Sequence, residues 1–198
     1  MDRHTTIRRP ALNHLSLARR LAGALLLVAP FAGHAARPIE LSSPDRQLRV
    51  TIETGDRLTL AVSHRGWQLV LPTPIGMTLS GIGTLGDKPR LSGQQRRSVD
   101  ATVRPVVAQK SSQVRDHYNA LQLEFAGGYA LDVRAYDEGI AYRFRTNLPG
   151  QVTVEDEQAG VNLRQQDTLY WPQEKSMQSH NEHYYQAMPV AEAAGMAW

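Results

Sequence analysis

The run Tyr129-Ala130-Leu131-Asp132-Val133-Arg134-Ala135-Tyr136-Asp137-Glu138-Gly139-Ile140-Ala141-Tyr142-Arg143-Phe144-Arg145 decides the fold. Val133 and Ala135 alternate with Arg134 and Tyr136, so one face packs inward while the other carries charge. Asp137-Glu138-Gly139 then joins two strand-like runs, and a short link ending in glycine suits a hairpin whose bulged turn demands a positive φ at Gly139. Working outward, Leu121 to Phe125 and Val103 to Val107 are further strand candidates before the hairpin, and Val152, Val154, Val161 and Leu163 continue the pattern towards Trp171. Upstream, Leu48, Val50 and Ile52 alternate with Arg49 and Thr51, Leu58, Leu60 and Val62 repeat the spacing, and Trp67 to Leu71 follows. Pro72, Pro74 and Gly76 should break the chain before Met77 to Leu79, and the polar, glycine-bearing stretch from Gly81 to Gln95 is expected to be a long mobile surface loop. From Pro38 onward no stretch keeps helical spacing, so the expected fold is all-β: a single antiparallel β-sandwich of many short strands.

The chain has 198 residues, 41% hydrophobic and 21% charged, a composition of folded proteins that excludes disorder. It has no cysteine, which excludes disulfides, thiol chemistry and cysteine-ligated zinc. The sequence pI near 9.4 points towards nucleic acid only until the charge is located. Five of the 22 basic residues, Arg3, Arg8, Arg9, Arg19 and Arg20, lie in residues 1–36, along with one of the 19 acids, Asp2; the remainder is near −1 instead of +3. No nucleic-acid partner is expected.

The same segment has the order of a secretory signal peptide: cationic start, apolar Leu21 to Phe31, and small residues around Ala35, with cleavage expected after Ala35. Its apolar run of about 11 residues falls well short of the roughly 20 that a permanent span requires. A twin-arginine reading of Arg19-Arg20 has weak flanking support. The expected organisation is therefore a signal peptide over residues 1–35 and one sandwich domain over residues 36–198, delivered to the periplasm or outside of a bacterial cell, with no stable membrane span after cleavage.

Several side chains invite chemistry. Trp171, Tyr184 and Tyr185 offer flat faces suited to stacking on sugar rings; the competing reading is a packing patch between domains. His180 and His183 have a spacing that would place both on one face of a helix, but no helix is expected and the order of a zinc hydrolase is missing. His117 reads as a hydrogen-bonded structural histidine. Asp137 and Glu138 are adjacent at a solvated turn, which supplies neither the enclosure nor the contrasting surroundings that a working pair of carboxylates needs; they read as turn chemistry.

Four pieces occur in one order: Leu41-Ser42-Ser43-Pro44-Asp45, Pro74-Ile75-Gly76-Met77-Thr78-Leu79, Arg115-Asp116-His117-Tyr118-Asn119-Ala120-Leu121, and Arg134 through Phe144. Together they resemble the N-terminal β-sandwich domain of glycoside hydrolase family 97, α-glucosidases and α-galactosidases of bacterial glycan use. The resemblance implies a super-sandwich of the galactose-mutarotase-like type that packs on a (β/α)8 barrel holding the catalytic carboxylates and most of a calcium site. It also implies one calcium ligand from the sandwich, and the matching position is Glu182, in Ser179-His180-Asn181-Glu182-His183-Tyr184-Tyr185. Ca²⁺ takes about 6 to 8 oxygen ligands, so one carboxylate gives a weak or incomplete site in this chain alone. Ala120 departs from the glutamate that the family often carries there.

The resemblance further implies that the sandwich is incomplete at Trp198 and that the barrel lies outside the chain, so no catalytic residue is named. The expected role is a non-catalytic domain that supports the barrel, with an α-glucoside or α-galactoside as the carbohydrate partner reached through that barrel. The alternatives are a free-standing carbohydrate-binding or interaction sandwich, and an exported structural protein without a ligand.

Overall fold

A computed structural model describes residues 37–107, 110–172, 174, 176, 178–180 and 182–193. The signal-peptide reading over residues 1–35 lies outside them. In chain order the strands are β1 (Ile39–Ser42), β2 (Leu48–Thr54), β3 (Leu58–His64), β4 (Trp67–Pro74), β5 (Gly76–Leu79), β6 (Gly83–Leu85), β7 (Leu91–Val103), β8 (Val114–Phe125), β9 (Tyr129–Ala135), β10 (Ile140–Thr146), β11 (Val154–Gln158), β12 (Thr168–Trp171) and β13 (Gln186–Pro189), followed by one helical turn, α1 (Val190–Ala193). Two four-stranded sheets, β1-β2-β3-β4 and β10-β9-β8-β7, carry most of the chain; β11-β5-β6 and β12-β13 are smaller. Every pairing is antiparallel.

Period-two alternation builds both main sheets. In the first, Val50 lies between Leu41 and Val62, and Ile52 between Ile39 and Leu60. Val50 and Ile52 are fully buried, while Arg49 faces out and pairs with Glu40 at 3.5 Å. In the second, Leu121, Val133 and Tyr142 form one inward row and Leu123, Leu131 and Phe144 the next. Inward residues of both sheets belong to one hydrophobic cluster, so the sheets pack face to face as a sandwich. Each fully buried leucine contributes on the order of 2 kcal/mol by leaving water. Among the described residues no helix is long and apolar enough to cross a membrane.

Three of the four quoted motifs come together at one end of the two main sheets, whereas Pro74 to Leu79 leaves the opposite end of β3 and β4 and enters β5. Asn119 donates from Nδ2 to the Ser42 carbonyl at 2.9 Å, tying β8 to β1. The Asp45 amide donates to Asp137 Oδ1 at 2.9 Å, which pins the β9–β10 turn onto the β1–β2 turn. Asp137 is thus a structural acceptor, as the reading of turn chemistry expects. Ser43 is fully buried, and its hydroxyl exchanges hydrogen bonds with Leu48 and Asp45.

Four local expectations need correction. The stretch from Gly81 to Gln95 is no mobile loop: β6 pairs with β5, Leu58 N donates to Gly86 O at 2.7 Å, and β7 starts at Leu91. Its polar residues hide a strand because β7 is an edge strand, exposed over nearly all its length and held by its ladder with β8 instead of by burial. Correspondingly, β7 stops at Val103, so Val103 to Val107 is no strand of its own. The strand containing Trp67 runs on through Pro72 to Pro74, which an edge position tolerates because one side of the backbone needs no donors. The β9–β10 hairpin exists, closed by Tyr136 N donating to Gly139 O at 2.8 Å, but Gly139 does not have a positive φ. A glycine that does need its freedom is Gly86, at φ +97°, where an added Cβ would sit 2.7 Å from the Ile75 carbonyl oxygen.

Candidate functional site

All the residues singled out as candidate ligands or sugar contacts fall on one hairpin. Strands β12 and β13 pair with Thr168 opposite Pro189 and Trp171 opposite Gln186, so the connection spans residues 172–185. Met188 is buried and roots the hairpin, while most of the described residues of the connection face solvent. Trp171 is half-buried at the last rung, opposite Gln186, and Tyr185 follows on the loop side of that rung. Tyr184 and Tyr185 are 94% and 69% exposed, an unusual cost for two adjacent aromatic rings on one loop. Glu182 is exposed and His180 is exposed beside it.

A residue that sequence reasoning passed over organises this loop. The side chain of Glu174 is only 4% exposed, and its Oε2 lies 2.7 Å from His183 Nδ1. A hydrogen bond from Ser179 holds the Glu174 carboxyl below its ordinary value, opposed by burial and aided by His183. Its other oxygen, Oε1, is buried with no hydrogen-bond partner among the described residues. The contact between Glu174 and His183 spans nine residues, folds the connection back on itself and leaves Glu182, Tyr184 and Tyr185 facing outward. A carboxylate nine positions before a histidine leaves no periodic trace in a sequence; only the fold shows it.

What this loop offers a metal is limited. Among the described residues no group of three or more histidine, aspartate or glutamate side chains is placed to hold an ion. The hard carboxylate oxygens of Glu182 suit calcium chemically, but they fit the part of a single contributor, since a shell of about 6 to 8 oxygens is needed.

The remaining candidates are structural. Arg115 makes a two-pronged ion pair with Asp100, at 2.8 Å for each contact. Tyr118 is buried beneath the Arg134 guanidinium, 4.5 Å from its ring centre, and the Tyr136 hydroxyl donates to Asp116 at 3.1 Å. Asp137 and Glu138 stand exposed at the open hairpin tip.

Comparison with known proteins agrees with this picture. The family described as Glycosyl-hydrolase 97 N-terminal matches residues 41–197. A retaining alpha-galactosidase of Bacteroides thetaiotaomicron is 40% identical over 120 residues, covering 61% of this chain and 18% of the relative. A probable retaining alpha-galactosidase of Streptomyces bingchenggensis is 35% identical over 140 residues, covering 66% of this chain and 21% of the relative. The chain thus spans about a fifth of the length of these curated relatives. Among solved structures, a glycoside hydrolase family 97 enzyme from Pseudoalteromonas sp. strain K8, in complex with panose, superposes with TM-score 0.66 at 16% identity, covering 78% of this chain and 25% of that one. A beta-arabinopyranosidase follows with TM-score 0.62 at 24% identity, covering 75% and 26%. The family match covers nearly the whole described chain, and the chain belongs to the glycosyl-hydrolase 97 N-terminal family.

Proposed function

We propose that this chain serves as the non-catalytic N-terminal domain of an exported α-glycosidase, supporting a (β/α)8 barrel and lending Glu182 as one ligand to a calcium ion there. The observation that carries the reading is the family match over residues 41–197, on a sandwich whose candidate site is a single outward-facing hairpin. Trp171, Tyr184 and Tyr185 then supply apolar surface at the mouth of that hairpin, available to the barrel or to a sugar ring held beside it. The substrate class is an α-galactoside or α-glucoside, and the names of the two curated relatives favour the galactoside. Calcium, when bound, supplies charge stabilisation and positioning of the reacting sugar. The Glu174–His183 contact has a positioning role: it stiffens the loop so that the Glu182 carboxylate is presented at a set place. Periplasmic or secreted delivery is supported by the order of charged, apolar and small residues over residues 1–35, removed before the domain of residues 36–198 acts.

The purified chain is expected to show no turnover of aryl α-galactosides or α-glucosides, with calcium or with chelator. Joined to a family barrel, it should restore calcium-dependent hydrolysis, and Glu182→Gln should weaken calcium affinity about tenfold, a scale typical of losing one ligand contact or its support. Chelator-sensitive hydrolysis by this chain alone would overturn the proposal. The alternative, a free-standing carbohydrate-binding module, is favoured only if the isolated chain binds neutral glycans and Trp171→Ala abolishes that binding.

A further inference from the structure

The outward face of the β7–β10 sheet carries a half-open groove of about 520 Å3 with a surplus of positive charge. Its shape follows from register. One row across the four strands reads Arg97, Ala120, Arg134, Ala141, and the next reads Gln95, Gln122, Asp132, Arg143. The two alanines leave a low floor beside the long arginines. Strands lie about 4.8 Å apart, so the Cα atoms of Arg97 and Arg134, two strands apart, are separated by about 10 Å, a gap that two guanidinium groups can close around one carboxylate.

Four arginines, Arg97, Arg134, Arg143 and Arg145, and one carboxylate present their side chains on the groove's face of the sheet. Arg143 and Arg145 both converge on that carboxylate, Asp132, at 3.1 and 2.9 Å, so one negative charge faces two positive ones. Arg134 is held over the Tyr118 ring at 4.5 Å and donates to the Tyr136 hydroxyl at 3.3 Å, an arrangement that fixes the guanidinium before any ligand arrives. Arg97 is exposed and has no ion pair among the described residues. The amides of Gln95 and Gln122 add donors and acceptors of the kind that sugar hydroxyls use.

We propose that this groove binds an acidic saccharide, one or two rings bearing a carboxylate that Arg97 and Arg134 clamp from either side. The volume lies in the range of small-ligand sites. A neutral sugar would leave the cationic surplus unanswered. An extended acidic peptide gains most at a sheet edge, where its backbone can pair, whereas this groove lies on a sheet face. The inference stands apart from the calcium reading, since it uses other residues on another sheet.

The test is calorimetric titration of the 198-residue chain with digalacturonate, with a neutral digalactoside and with a glutamate-rich hexapeptide, at low and at physiological salt. Digalacturonate should bind at least tenfold more tightly than the neutral sugar and weaken as salt rises. Arg97→Gln should cut affinity about tenfold with an unchanged urea midpoint, and Arg97→Lys should recover part of it, keeping the charge but losing the two-pronged geometry. Arg134→Gln provides a second variant, accepted once its unfolding transition is shown to be cooperative. The proposal is overturned by absence of digalacturonate binding, by equal binding of the neutral sugar, by affinity that Arg97→Gln leaves unchanged, or by a hexapeptide that binds as tightly as digalacturonate.

Discussion

Replacing Leu131 by alanine probes the packing that holds every other feature in place. The side chain is fully buried, with Leu123 and Phe144 beside it on the ladder and the first sheet's inward residues sharing its cluster. Three carbon atoms are removed, worth roughly 2.4 kcal/mol of transfer at about 0.8 kcal/mol per buried methylene. Strand β9 is central, hydrogen-bonded on both sides, so its backbone cannot sink to fill the void, and a cavity penalty raises the total to about 4 kcal/mol. With a urea slope of about 2 kcal/mol/M, the unfolding midpoint should fall by about 2 M while the slope stays the same. Leu163→Ala is the control: this residue is half-buried outside the strands and the core cluster, and the loss should stay below about 1 kcal/mol. A cost for Leu131→Ala below about 1.5 kcal/mol, or one equal to the control, would refute the face-to-face sandwich.

Two further outcomes test particular contacts. Partial burial pushes the Asp132 carboxyl up, but hydrogen bonds from Arg145 and Arg143 together outweigh it and hold the group below its ordinary value. A depressed folded value means stabilisation present above about pH 4 and lost as pH falls through the folded value, so Asp132→Asn should cost about 1 kcal/mol at pH 7 and progressively less below pH 4. Urea midpoints of both proteins at pH 7, 5 and 3 measure the gap, and a gap constant over that range would contradict the assignment. Gly86→Ala should destabilise by about 2 kcal/mol or more, since a Cβ there meets both a positive φ and the Ile75 carbonyl. Gly139→Ala, at an open position without positive φ, should change stability by less than about 0.5 kcal/mol in the same assay.

Much of the fold was legible because burial on one face of a strand writes itself into the sequence every second residue. Val50 and Ile52, and Leu58, Leu60 and Val62, show it, and their buried faces follow. The β9–β10 hairpin was legible too, although the reason attached to Gly139 was wrong; an acceptor on Asp137 anchors the turn instead. Strand β7 was illegible because its strength lies in backbone hydrogen bonds to β8, which any polar residue can make. The aromatic and acidic residues of the β12–β13 connection were visible one by one, and the ladder from Thr168 to Pro189 explains why they share a loop.

By itself, the amino-acid order determined the class of structure, the faces of most strands and the family likeness, all of which depend on neighbours close along the chain. The tertiary structure alone decided that Glu174 is buried against His183, and that Arg97, Arg134, Arg143 and Arg145 share one groove. Those placements depend on strand order and register, and a shift of a single residue in pairing would send each arginine to the opposite face.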